Sequence, residues 1–388
     1  MSEAYDTIVV GARAAGSALA INLARSGQRV AVVDRASFPS DTLSTHVLYP
    51  NALAALDRLG ALDEILWHEP PPLHTSWHHE NVSWRAAHTP IAGRDWALCV
   101  RRFTLDAILV RRARAAGATV HERFFVERLL GAGTDTDPVH GIAGRFDGVQ
   151  VELRARQVVG ADGARSTVAR LLGVGREEVA ASPTAMAYAY WRGIPRRELQ
   201  EFYVQPPWTA MHFPADDGYH VVAVLGPHEG WDGRPRAQTY LARVHAVPQL
   251  RRRLERARMS KKVIAATALD GFWRRPTGPG WTLVGDAGHF KHPAAVQGIA
   301  DALAAAEALA PMLLAGTQRR AFGPWRESAN RELYDFSRRA ARAPERDETA
   351  ALMRALAREP ALARDFVDVY SRTRRPSELL DRLAVAAA

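Results

Sequence analysis

The sequence holds a single cysteine in 388 residues, and that scarcity removes whole classes of chemistry. No intramolecular disulfide can form, and no thiol pair exists for dithiol redox work or metal ligation. Cys99 sits in the apolar run Trp96-Ala97-Leu98-Cys99-Val100, which predicts a buried, inert thiol. Lysine is nearly as rare, occurring only at 261, 262 and 291, so arginine carries almost all of the 51 basic residues. The net charge of +9 and pI near 10.1 are scattered as pairs such as Arg196-Arg197 and the triple Arg251-Arg252-Arg253. Without a lysine-rich tail, an RNA-binding aromatic signature or a zinc pattern, no nucleic-acid partner is expected. Long uncharged apolar runs are also missing. The longest, Ile299 to Leu314, is broken by Asp301 and Glu307, which predicts a buried helix and no membrane insertion. A strand begins within a few residues of Met1, leaving no room for a signal peptide, so a cytoplasmic location is expected. Histidines 68, 74, 78, 79 and 88 crowd one stretch but lack H-E-x-x-H spacing, and no metal is expected.

What is present is organised around the first thirty-odd residues. Thr7 to Val10 reads as a strand buried on both faces. Gly11-Ala12-Arg13-Ala14-Ala15-Gly16 then opens an Ala/Leu-rich helix ending near Gly27. Arg29 to Val33 is a second strand, with Asp34 at its end and Arg35 beyond. Strand, glycine turn, helix, strand and acid form the dinucleotide-binding unit. Gly11 permits the tight turn, and Gly16 lets the helix lie close to the sheet. The free N–H groups at the helix start face a pyrophosphate, and Asp34 is placed to accept from a ribose. Arg13 stands where the pattern has its second glycine, and compensates if its guanidinium swings out to the phosphates.

Two later stretches repeat the logic: Val158-Val159-Gly160-Ala161-Asp162-Gly163, and Leu283-Val284-Gly285-Asp286-Ala287-Gly288-His289 followed by Pro293 and Gln297-Gly298. Between them the pattern changes. Strand-like runs at 185–193, 201–205, 209–213 and 219–225, separated by prolines and Asp216-Asp217-Gly218, predict an inserted antiparallel sheet. Residues 67–96 read as an irregular or two-stranded aromatic excursion. The tail from 317 to 388 is charged and helical by pattern.

Taken in order, these motifs resemble the FAD-dependent oxidoreductases of the para-hydroxybenzoate hydroxylase class, which includes flavin monooxygenases and the similar geranylgeranyl reductases. The resemblance covers roughly residues 5–310 and implies an α/β fold: a Rossmann-like, glutathione-reductase-type FAD-binding domain, an inserted antiparallel β-sheet substrate domain and a C-terminal helical region. It divides the chain into a discontinuous FAD-binding domain (1–75, 97–182, 274–316), a substrate domain (76–96, 183–273) and the tail 317–388. By this resemblance Gly11, Ala12, Arg13, Ala15 and Gly16 hold the pyrophosphate, and Asp34 and Arg35 face the adenosine ribose. Arg102 contacts the phosphate–ribityl region, the backbone of Val126 meets adenine, and Gly285 and Asp286 meet the ribityl or pyrophosphate part. Pro293, Gln297, Gly298 and Ile299 pass beside the isoalloxazine. Asp162 supports FAD and NAD(P)H, caps the following helix, or does both. The implied activity is NAD(P)H-driven hydroxylation of a hydrophobic or aromatic small molecule through a flavin C4a-hydroperoxide. Trp191, Trp208, His212 and Phe213 are the expected pocket residues, and His46 the expected acid or base. The alternatives are a flavin reductase or dehydrogenase acting on C=C bonds, and a non-catalytic FAD-binding protein. Flavin halogenases share the fold but need a lysine in the N-terminal half, and none precedes 261.

Overall fold

The computed structural model describes residues 4–387 except 229–230, 232–235, 261, 268 and 344. Two eight-stranded sheets dominate it. In the first, Thr119–Glu122, Val30–Asp34, Ala4–Val10, Val149–Gly160 and Trp281–Leu283 lie side by side and parallel. The hydrophobic runs at 7–10 and 30–33 supply its centre, where Ile8, Val9, Val32 and Val33 are fully buried. Helix Ala14–Arg25 crosses one face and packs in the same core as helices Arg102–Ala115 and Gly298–Leu314. A second core around Ile8, Phe124, Val158 and Trp281 fills the other face.

Residues 119–130 form two strands. Arg123, at φ +61°, turns the chain so that Thr119–Glu122 stays in the parallel sheet and Phe124–Leu130 pairs instead with Gly141–Phe146. Gly144 permits that pairing, since a Cβ there would lie 2.0 Å from the Phe125 carbonyl oxygen.

The second sheet is the inserted one, with Thr184–Arg192, His220–Pro227, Trp208–Pro214 and Leu199–Gln205 antiparallel in that order. The aromatic stretch after residue 67 joins it: His74–His79 pairs parallel to Leu199–Gln205 and forms a hairpin with Val82–Ala86. Along each strand alternate side chains face opposite ways. Met186, Tyr188, Tyr190, Phe202, Met211 and Phe213 share a core with Val47, Cys99 and Val296. Ala187, Ala189, Trp191, Trp208 and Ala210 face away, toward helices Arg236–His245 and Pro248–Leu254. Asp216 pins this sheet to the first, accepting from the Arg101 backbone N–H at 2.7 Å and from its guanidinium at 2.7 and 3.0 Å. The tail is four helices, Gln318–Ala340, Arg346–Arg358, Pro360–Ser371 and Pro376–Ala387, among the described residues. Among the described residues no helix is long and apolar enough to cross a membrane.

Candidate active site

Ligands of open α/β sheets bind beyond the carboxyl ends of the strands, at the point where strand order reverses. The three glycine–acid stretches meet there. Gly11 turns at φ +107°, and a Cβ on it would stand 2.4 Å from the Ala161 carbonyl oxygen. The Gly16 Cα lies so close to the first strand that a Cβ would be 1.8 Å from the Gly11 oxygen. The third turn is tied to the second by the Val284 N–H donating to Gly160 O at 2.9 Å, and a Cβ at Gly285 would be 3.0 Å from Ala15 Cβ. The close approaches expected of Gly11 and Gly16 are therefore present.

The helix starts facing this cradle carry no side-chain cap. Arg13 precedes helix Ala14–Arg25 and Gln297 precedes helix Gly298–Leu314, neither capping its helix through a side-chain hydrogen bond. Uncapped first turns offer backbone N–H groups and a positive dipole end to an anion or carbonyl oxygen. Asp34 already works within the protein: Oδ2 accepts from the Ala12 N–H at 2.7 Å and Oδ1 from Ala36 N–H at 2.8 Å. Arg35 is exposed, and Val126 lies half-buried on Phe124–Leu130. Arg13 does not reach outward. Its guanidinium donates to Asp106 at 2.5 Å, to Ser40 Oγ at 3.1 Å and to Asp41 O at 3.2 Å. Arg102 donates to the other Asp106 oxygen at 2.8 and 3.1 Å.

Asp162 serves the local structure. Its carboxylate accepts from Ser166 Oγ at 2.5 Å and from the Thr167 and Val168 N–H groups at 2.6 and 3.1 Å, bonding the start of helix Thr167–Leu171. Asp286 differs. Among the described residues its half-buried carboxylate makes no hydrogen bond. Desolvation, with the nearby Asp301 charge, raises its pKa to about 6, partly offset by Arg102 and Lys291. An unpartnered acid beside a glycine cradle and two uncapped helices fits a ligand that brings hydroxyl donors and a pyrophosphate, as FAD does.

Pro293–Ala295 forms a single turn ending at Val296, which sits at φ +52°, a conformation a β-branched residue seldom adopts. Gln297 is buried and spends its side chain on the protein, its Nε2 donating to Ala295 O at 3.0 Å and Tyr370 O at 3.1 Å. Gly298 is exposed and Ile299 buried.

His46 lies in the same region at φ +64°, fully buried, edge-on to Tyr188 and 3.3 Å through Nε2 from the Tyr190 hydroxyl. Desolvation, reinforced by Arg102, lowers its pKa to about 3, so the imidazole is neutral at physiological pH and a poor proton acceptor. The environment thus argues against the acid–base role expected of it. Tyr190 also donates to Asp41 Oδ1 at 3.0 Å, and Tyr188 to Thr42 O at 3.2 Å, tying the 35–46 loop to the inserted sheet.

Of the four expected pocket residues only Phe213 faces this side. Trp191, Trp208 and His212 point to the far face, where Trp191 Nε1 donates to the Tyr240 hydroxyl at 2.9 Å and His212 lies 3.1 Å from Glu201. The large–small alternation in Ala187-Tyr188-Ala189-Tyr190 marks Tyr188 and Tyr190 as partners on the side that faces the 35–46 loop. Among the described residues no group of three or more His, Cys, Asp or Glu side chains is placed to hold a metal ion.

This geometry can be set beside known proteins. The FAD binding domain family matches residues 4–343. The chain belongs to that family. It is 34% identical over 180 residues to menaquinone reductase of Mycolicibacterium smegmatis, spanning 45% of this chain and 41% of that one. It is 29% identical over 338 residues to 6-methylpretetramide 4-monooxygenase of Streptomyces rimosus, covering 81% of this chain and 76% of the relative. The fold matches the myxobacterial chondrochloren halogenase CndH with a TM-score of 0.77 at 20% identity, over 99% of this chain and 97% of that one. Family members of this kind are flavoprotein oxidoreductases, and the glycine cradle falls within the matched stretch.

Proposed function

We propose that the chain is an FAD-dependent monooxygenase that draws electrons from NAD(P)H and hydroxylates a hydrophobic or aromatic small molecule. One observation carries the reading. The wall that the inserted sheet turns toward the 293–297 loop is apolar and aromatic, with Met186, Tyr188, Tyr190, Phe202, Met211 and Phe213 packed beside Val296, and its phenol hydroxyls meet Asp41, Thr42 and His46 of the 35–46 loop. Such a wall suits a neutral, ring-bearing substrate and excludes water. The similarity to a monooxygenase over most of both chains supports the same reading.

Bound FAD would supply electron transfer and oxygen activation, and the chain supplies placement. Gly11 to Gly16 would take the pyrophosphate, Asp34 the ribose, Asp286 a ribityl hydroxyl or the pyrophosphate, and Arg102 the phosphate–ribityl region. Tyr188 and Tyr190 would orient the substrate. The balance is one substrate C–H, O2, NAD(P)H and a proton giving C–OH, NAD(P)+ and water, with the hydride providing both electrons.

A second reading, reduction of a quinone or C=C bond, is favoured by the similarity to menaquinone reductase, of which the match spans 41%. Anaerobic addition of NADPH to the purified flavoprotein, followed by air, separates the two. Bleaching of the flavin band, recovery in air and oxygen uptake matched by hydroxylated product support the monooxygenase. Anaerobic turnover with a naphthoquinone and no oxygen demand supports the reductase. A protein that takes up no FAD overturns both.

A further inference from the structure

Behind the 293–297 loop lies a buried ion cluster that joins three separate parts of the chain. Asp301, in the first turn of helix Gly298–Leu314, accepts from Lys291 Nζ at 2.6 Å through one oxygen. Its other oxygen accepts from the Arg372 guanidinium. Arg372 also donates through Nε to Gln297 Oε1 at 2.9 Å. Lys291 completes its three donor positions with Asn330 Oδ1 at 2.8 Å and His289 Nε2 at 3.2 Å. Lys291, Asp301, His289, Gln297 and Asn330 are all at least nine-tenths buried.

Two features set this cluster apart from a stray ion pair. Arg372 follows helix Pro360–Ser371, adopts φ +63°, and lies outside residues 4–343, the stretch that matches the family. The tail of this chain therefore reaches the loop on which the isoalloxazine would lie. Asp286, coupled electrostatically to both Asp301 and Lys291, adds a second acid, so the charges of Lys291 and Arg372 together balance two carboxylates, with His289 held neutral by burial and by Lys291. A buried charge is little screened and acts over several ångströms, so loss of either cation would leave the cluster negative. The carboxylates alone, beside a helix N-terminus that would face bound FAD, would oppose the arrival of electrons there.

We propose that Arg372 is a positioning residue of the flavin site. It fixes Gln297 and Asp301, and its charge offsets the second carboxylate of the cluster, which favours the reduced, more negative state of bound FAD. The inference rests on the FAD reading given above. It assigns the C-terminal helices a role in the redox property of a site built by the other end of the chain.

The test is the midpoint potential of bound FAD, measured against a reference dye in the full-length protein. Arg372→Gln should shift the reduction equilibrium about tenfold toward oxidised flavin, about 30 mV for a two-electron couple. Arg372→Lys should restore most of it. The double variant Lys291→Met/Asp301→Asn, which removes one charge of each sign, should stay near the wild-type value. Should Arg372→Gln fail to fold, Lys291→Met removes the other cation and should lower the potential in the same direction. A purely structural role for Arg372 would not order the variants by net charge. An unchanged potential in Arg372→Gln with FAD bound, or a double variant that falls as far as Arg372→Gln, overturns the proposal alone. A wild-type protein that takes up no FAD overturns the FAD reading with it.

Discussion

Arg13 and Arg102 share one carboxylate: Asp106 accepts from Arg13 at 2.5 Å on one oxygen and from Arg102 at 2.8 Å on the other. Asp106 is fully buried, whereas the Arg13 side chain keeps 25% of its exposure. The arginine that replaces the second glycine of the turn is thus braced from helix Arg102–Ala115. Removing the shared acid leaves two guanidinium groups facing each other, whereas removing Arg13 leaves the acid with one good partner. Asp106→Ala should cost about 3 kcal/mol and Arg13→Ala about 1 kcal/mol, since breaking a buried pair from the hub is the dearer change. Chemical denaturation of the two variants checks the order. Equal losses would mean that Arg13 is not braced by Asp106.

Asp286 leads to a pair of opposite effects in one variant. Its pKa in the fold is about 6 against an ordinary 3.8, so the folded state binds its proton more tightly than the unfolded chain does. Such a group destabilises the ligand-free fold increasingly as pH rises from about 4 to 6, and the deficit persists above that. At about 1.4 kcal/mol per pH unit the ceiling is about 3 kcal/mol, and partial exposure brings it nearer 1–2 kcal/mol. Asp286→Asn should therefore stabilise the apoprotein at pH 7, leave it unchanged near pH 3.5, and weaken FAD binding at least tenfold. Denaturation of apoprotein and flavin titration read the two signs separately. Stability that does not rise at pH 7 would count against an unpartnered carboxylate.

The first sheet and its turns are legible in the sequence because their determinants are local. Gly11, Gly16 and Gly285 are demanded by contacts of 1.8 to 3.0 Å with nearby backbone or small side chains, and apolar runs beside them can only be buried strands. The inserted sheet is legible as strands but not as faces. Trp191 and Trp208 attract attention by size, yet parity with Ala189 and Ala210 sends them outward. Arg123 breaks a strand through a positive φ that no glycine or proline announces. The cluster of Lys291, Asp301 and Arg372 is illegible for another reason. Arg372 is 71 residues from Asp301, and a charge in a helical tail gives no sign of which buried acid it meets.

Buried neutral histidines predict sensitivity to acid. His46 has its pKa lowered to about 3 and His88 to about 4, in each case chiefly by desolvation. The unfolded chain takes up protons on these groups near pH 6.5 while the folded chain does not, so stability present at pH 7 is lost as pH falls. Each contributes about 1–2 kcal/mol of loss between pH 7 and pH 5. This exceeds the gain that protonating Asp286 returns over the same interval, which is confined to the range below its value of about 6. The urea midpoint should fall from pH 7 to pH 5, and His46→Asn, which tolerates the positive φ of +64°, should reduce the fall. A midpoint independent of pH would show that these imidazoles are not held neutral by the fold.

Tyr190 and Trp191 are neighbours in sequence that face opposite ways, and they separate a site role from a structural one. The Tyr190 hydroxyl meets Asp41 at 3.0 Å and His46 at 3.3 Å on the side of the 293–297 loop. The Trp191 indole meets the Tyr240 hydroxyl at 2.9 Å under helix Arg236–His245. Trp191→Phe removes a buried donor from one neutral hydrogen bond and some packing, so it should cost about 1–2 kcal/mol of stability and leave turnover within twofold. Tyr190→Phe removes the donor to Asp41, already short of a partner at Oδ2, and should slow substrate-dependent oxygen uptake at least tenfold while flavin reduction by NADPH changes less. Stopped-flow reduction and steady-state oxygen uptake on the two variants decide it. Should Trp191→Phe be the slower enzyme, the substrate lies on the helical side of the inserted sheet and the face assigned to it here is the wrong one.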